Sequence, residues 1–129
     1  MEAFQNIVMP VAREYNPQLI LISAGFDAAV GDPLSGYQVT PPLYGLMTHQ
    51  LSALAGGRLV IALEGGYNLD TIATCATTCG HALMGHTDQL SRVNVTRGSE
   101  SRDHQSAIDS VRNVIKTHSK YWKSLHHHV

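Results

Sequence analysis

Charge is scarce in this chain: 15% of its 129 residues are Asp, Glu, Lys or Arg, and the formal net charge is −1. No basic stripe is present to neutralise a phosphate backbone, so direct nucleic-acid binding has no support. With 43% hydrophobic residues the low charge does not signal disorder, and such a chain buries a core. Long apolar runs are missing too. None approaches the ~18 residues of a membrane-spanning helix. The opening MEAFQNIVMPVAREYN lacks the basic stretch and apolar core of a secretory signal. The expected setting is cytoplasmic and/or nuclear, away from a membrane. Cysteine is limited to Cys75 and Cys79, which sit within one helical pattern and form no CxxC. They are expected as buried thiols on one helix face, and His81 beside them does not complete a zinc set. No internal repeat is visible.

What is present is an alternation of apolar patterns. Phe4, Ile7, Val8, Val11, Ala12 and Tyr15 recur at helical spacing, with Pro10 expected to kink the helix or delay its start and Asn16-Pro17 to end it. Leu19–Ile22 and Leu59–Leu63 are continuous apolar runs, the pattern of parallel strands buried on both faces. Between them Thr40 is placed to cap a helix with Pro41 at its first position, and Leu43, Leu46, Met47, Leu51 and Leu54 form its apolar stripe up to Gly56-Gly57. Leu69, Ile72, Ala73, Ala76, Cys79, Gly80 and Leu83 mark a third helix ending near Gly85. Residues 87–103 are polar and read as a linker or surface loop. Residues 104–125 read as a terminal helix, with Ser106 and Asp109 as a capping box, and 126–129 as a tail. The expected class is α/β, in the order α-β-α-β-α plus a terminal helix. Two parallel strands do not stand alone, so residues 1–86 are expected to be part of a larger parallel-sheet domain.

Two loops follow the strand-like runs. The segment LILISAGFDAAVGDPL (residues 19–34) puts Asp27 past the first run, and RLVIALEGGYN (residues 58–68) puts Tyr67 past the second. In open α/β sheets ligands bind outside the carboxyl ends of the strands. Adjacent strands there bring a carboxylate and a phenol over one crevice. Gly65 and Gly66 let backbone approach a ligand closely. The residues alone leave both readings open: Asp27 as metal ligand or loop carboxylate, Tyr67 as oxyanion donor or packed aromatic.

SAGFDAAVGDPL followed by LEGGYNL at the next strand end resembles the C-terminal third of a class II histone deacetylase domain. The likeness covers residues 3–86 and extends weakly to HSKYWKSL in the terminal helix. It is greatest to the second catalytic domain of the cytoplasmic, tubulin-deacetylating class IIb type. The resemblance implies a three-layer arginase/deacetylase-like domain that hydrolyses acetyl-lysine to lysine and acetate with a zinc ion. It implies Asp27 as one zinc ligand, Tyr67 as the catalytic hydroxyl donating to the developing oxyanion, and Leu34, Gly65 and Gly66 as substrate-binding positions. Tyr67 stands where class IIa members carry histidine. Leu34 stands where a polyamine-deacetylase relative carries glutamate, and an apolar wall suits a neutral acetyl-lysine stem. Asp32 reads as a loop-stabilising carboxylate.

The family's other zinc ligands form an Asp-x-His pair, which occurs nowhere in this sequence, and the only adjacent histidines that could match its tandem histidine base are the terminal His126-His127-His128. Those three read as a floppy tail or residual tag. His49, His81, His86, His104 and His118 read as surface or packed histidines. The expected partners are an acetylated protein, either a histone tail or tubulin, and the remainder of the deacetylase domain. The chain alone is expected to be inactive. The alternatives are a non-catalytic truncated isoform acting as an interaction module and a polyamine-deacetylase fragment.

Overall fold

The computed structural model describes residues 1–88, 90 and 102–128. It divides the chain into two compact units, residues 1–17 with 95–129, and residues 18–94.

In the larger unit, β1 (Ile20–Ala24) and β2 (Leu59–Leu63) pair in parallel, Ile20 opposite Leu59 and Ala24 opposite Leu63. The crossover between them carries α2 (Pro41–Ser52), and α3 (Leu69–Leu83) follows β2. One sheet face is covered and one is bare. Ile20, Ile22 and Ala24 are at least half-buried, whereas Leu21 is 71% and Val60 53% exposed. The apolar runs anticipated burial on both faces, so the covering layer of one face is not found among the described residues.

The core joins Ala24, Phe26 and Ala29 to Cys75 and Cys79, with Ile22, Tyr44, Ile61 and Ile72 packed around it. Both cysteines are free and buried as expected. Burial, and next the neighbouring Cys79, push the Cys75 thiol up to about 11. The helix faces differ from the apolar stripes read in sequence. On α2 the fully buried positions are Gly45 and Thr48, while Leu43, Leu46, Met47 and Leu51 are half-buried. On α3 they are Cys75, Thr78, Cys79 and Ala82, while Leu69 is 84% exposed. Small residues carry this contact because the helices approach closely: a Cβ on Gly45 would lie 2.6 Å from Thr78 Cγ2. The other edge of the α3 stripe, Ala76, Gly80 and Leu83, lines an open apolar groove of about 220 Å³ with Ala24, Ile61 and Leu63.

Helix ends follow their side chains. Thr40 is the N-cap residue of α2 with Pro41 next, but its side chain makes no capping bond. Asn68 caps α3, its Oδ1 accepting from Asp70 N–H at 3.0 Å and Thr71 N–H at 3.2 Å.

In the smaller unit, a π-helical turn Phe4–Val8 runs into α1 (Met9–Tyr15). Pro10 has no N–H to return to the preceding turn, and the wider turn, closed by Met9 N–H on Phe4 O, precedes it. Asn16 ends α1 in the left-handed region at φ 52°. Helix α4 (Arg102–His118) starts ahead of residue 104, so Ser106 lies inside it rather than at a capping box, its carbonyl accepting from Ser110 Oγ. A 3-10 helix, Lys123–His128, takes the place of the floppy tail expected there. The Glu14 carboxylate accepts from Lys123 N–H at 3.1 Å and Ser124 N–H at 2.7 Å, satisfying the first donors of that turn. Tyr15 meets Trp122 edge-on with ring centroids 6.5 Å apart, and His126 Nε2 lies 2.7 Å from Ser119 O. Most of the expected linker, and the His104 side chain, lie outside the described residues.

Candidate functional site

The two glycine-bearing loops leave the same end of the sheet because β1 and β2 are parallel neighbours. Backbone bonds extend the pairing past the strands: Glu64 N–H donates to Ala24 O at 3.0 Å and Phe26 N–H to Gly65 O at 2.8 Å. The first loop is closed on itself. Val30 N–H donates to Val39 O at 2.9 Å and Val39 N–H to Ala28 O at 3.0 Å, forming an isolated parallel bridge. Ser35 Oγ donates to Asp27 O.

Phe26 is fully buried and stacks edge-to-face on Tyr44 at 5.1 Å between centroids. It anchors the residue beside it, Asp27, whose side chain is half-buried. The Asp27 carboxylate lies against Gly65: a Cβ there would sit 3.1 Å from Asp27 Cγ and 3.2 Å from each oxygen. Among the described residues no hydrogen bond or ion pair engages that carboxylate. Gly66 has φ +135°, a conformation open to glycine, and a Cβ on it would meet Ile72 Cγ1 at 2.8 Å. The groups that approach these two glycines are therefore the protein's own: the Asp27 carboxylate and the Ile72 side chain.

Tyr67 follows, 62% exposed as a residue, and Leu34 is 68% exposed on the other loop. Neither is fixed by side-chain packing; their backbones are. Asp32 accepts from Leu34 N–H with Oδ1 at 2.9 Å and from Tyr67 N–H with Oδ2 at 2.8 Å. Asn68 Nδ2 donates to Gly31 O at 2.9 Å and Thr71 Oγ1 to Val30 O at 3.4 Å. The sequence reading gave Asp32 a loop-stabilising role without its partner across the site, and gave Asn68 none. An asparagine immediately before Leu69-Asp70 is the N-cap signature that identifies it.

Tyr44 stands behind this constellation. Its hydroxyl is buried with no hydrogen-bond partner among the described residues. Burial, and next the Cys75 and Asp27 charges, push its ionisation up, so the phenol stays protonated at neutral pH.

A catalytic zinc takes three protein ligands. Among the described residues no group of three or more His, Cys, Asp or Glu could hold a metal ion. Asp27 alone does not fit one, and no step can be carried through a metal by these residues by themselves.

Comparison with known proteins matches a family model, described as histone deacetylase domain, to residues 1–83. Histone deacetylase 7 of Homo sapiens is 47% identical over 125 residues, and histone deacetylase 6 of Caenorhabditis elegans 46% identical over 127. Each alignment covers 95% of this chain but 13% of the relative. The solved structure of the histone deacetylase Clr3 matches with a TM-score of 0.85 at 41% identity, over 95% of this chain and 20% of that one.

Proposed function

That this chain belongs to the histone deacetylase family, with its α/β arginase/deacetylase fold, is the premise from which we propose its function. It supplies the C-terminal part of a class II-like, zinc-dependent protein-lysine deacetylase domain. That domain hydrolyses acetyl-lysine on a histone tail or tubulin, in the cytoplasm and/or nucleus. Asp27 contributes one carboxylate to the zinc site, and the remaining ligands and the general base come from the rest of the domain. The Tyr67 hydroxyl donates a hydrogen bond to the amide oxygen as it gains negative charge, a contribution greatest where water is excluded. Leu34 lines the passage for the apolar part of the acyl-lysine side chain, and Gly65 and Gly66 border the substrate site while leaving room for the Asp27 carboxylate and the Ile72 side chain behind it.

The observation that supports this reading is a carboxylate with no hydrogen bond from the described residues, packed on Gly65 two positions before an exposed tyrosine. A loop carboxylate serving only structure would be taken up by backbone donors, as Asp32 is.

The test has two arms. Purified alone with zinc and an acetylated peptide, the 129-residue chain is expected to release no more acetate than its Tyr67→Phe form. Mixed with a polypeptide carrying the rest of the domain, it is expected to give metal-dependent turnover. Substitution of Asp27 by Asn should abolish that turnover, and Tyr67→Phe should lower it about 10²-fold or more. Robust turnover by the chain alone, or indifference of the mixture to both substitutions, would sink the reading.

A second reading is favoured by the bare sheet face and the apolar groove beside α3: a non-catalytic module that docks a partner. A stoichiometric complex with a protein unrelated to deacetylases, retained in Tyr67→Phe, would support it instead.

A further inference from the structure

We propose that Asp32 is a positioning residue that sets the Tyr67 phenol and the Leu34 side chain in one register through a single carboxylate. The inference rests on the reading of Tyr67 as the oxyanion donor and extends it to a residue that touches no substrate.

Both Asp32 oxygens are used, and by different loops. Oδ1 takes the N–H of Leu34 two residues on, and Oδ2 takes the N–H of Tyr67, 35 residues away in sequence. Hydrogen bonds to an ionised acceptor are roughly twice as strong as neutral ones. A carboxylate offers an acceptor on each side, whereas an amide of the same shape offers one acceptor and one donor. Only an acid therefore satisfies both donors here. Asp32 is itself held, its N–H donating to Ala29 O at 3.1 Å. Beside it Asn68 Nδ2 grips Gly31 O, so residues 31 and 32 are fastened to residues 67 and 68 by two adjacent bonds.

The arrangement matters because the two residues it governs are exposed, Tyr67 at 62% and Leu34 at 68%. With no packing to fix them, their origin is set by backbone, and the backbone of both is set by Asp32. The glycine at 66, at φ +135°, gives the chain the freedom to bring the Tyr67 N–H round to the carboxylate.

The test is an NMR comparison of the full 129-residue chain with its Asp32→Asn form, which needs no deacetylase activity. In the Asp32→Asn chain one of the two donors, Tyr67 N–H or Leu34 N–H according to which way the amide turns, faces an N–H₂, so at least one of those two amides is expected to exchange with solvent about tenfold faster or more. The amides of Phe26 and Val39, which bond elsewhere in the same loops, serve as scaffold controls and should keep their protection. Equal loosening at Phe26 and Val39 would make Asp32 a general brace and overturn the proposal. Unchanged exchange at both Tyr67 and Leu34 would overturn it as well. Should the variant fail to fold, the wild-type chain decides: a scalar coupling across the hydrogen bond between Tyr67 N and Asp32 Cγ supports the clasp, and its absence refutes it. A clasp found by NMR, together with turnover indifferent to Tyr67→Phe in the reconstituted domain, would place the failure in the functional reading rather than in Asp32.

Discussion

At the scale of single residues, the site loops are held by backbone rather than by side-chain bulk. Gly66 combines a positive φ with Ile72 Cγ1 at 2.8 Å from any Cβ. Gly66→Ala should therefore cost about 1–3 kcal/mol from strain and overpacking together, read as a lowered denaturation midpoint. A midpoint within experimental error of wild type would show that the turn can relax. The placement of Asp27 and Tyr67 past the ends of neighbouring parallel strands was legible in sequence, because each follows a short apolar run. Asp32 was half-legible: its GDP setting marks a loop brace, but its bond to Tyr67 crosses 35 residues and leaves no local signal.

Among the elements, contacts between helices depend on what is small. Gly45→Ala would drive a methyl toward Thr78 Cγ2 at 2.6 Å and Leu90 Cδ2 at 2.9 Å. Despite the higher helix propensity of alanine, a loss of about 1–3 kcal/mol is expected in chemical denaturation. A gain in stability would mean that α2 shifts freely on α3. This contact was not readable beforehand, because a hydrophobicity pattern follows Leu43, Leu46 and Leu51 and assigns nothing to a glycine and a threonine. The strands were readable, since Leu19–Ile22 and Leu59–Leu63 are short β-rich runs bounded by turn residues.

The terminal 3-10 helix makes a second prediction at this scale. The backbone N–H of Ser124, ahead of that of Lys123, holds the Glu14 carboxyl below the usual glutamate range. A depressed carboxyl stabilises the folded form at pH above the ordinary glutamate value, and that contribution is lost as pH falls through the lowered one. Trp122, the sole tryptophan, lies next to Tyr15 and reports on the turn. Its fluorescence should change in acid below the ordinary glutamate range. In Glu14→Gln it should already resemble the acid form at neutral pH. Identical titrations of the two chains would refute the cap.

For the whole molecule, the bare face of the sheet decides behaviour. Parallel sheets occur almost always with both faces covered, yet Leu21 and Val60 stand exposed on adjacent strands at matching register. The sequence carried the apolar character of these positions but not their coverage, because what lies over a strand leaves no mark in the strand's own residues. Replacing Leu21 and Val60 together by lysine should raise the monomeric fraction in light scattering. Each change should alter stability by only about 0.5 kcal/mol, as for a surface site. The same pair should abolish complementation by the rest of a deacetylase domain. A large fall in melting temperature would show that the face is packed within this chain.

The buried thiols of α3 have a practical corollary. Cys75 and Cys79 are the sole cysteines, and both lie in the core under the site loops. With Cys75 pushed up to about 11 and fully buried, almost no thiolate is present to react at neutral pH. Alkylation of the unmodified chain therefore times the opening of α3. Because Asn68 caps that helix while gripping Gly31, the same clock reads how long the two loops stay fastened. Anything that docks at the strand ends should slow it, whether or not a reaction follows.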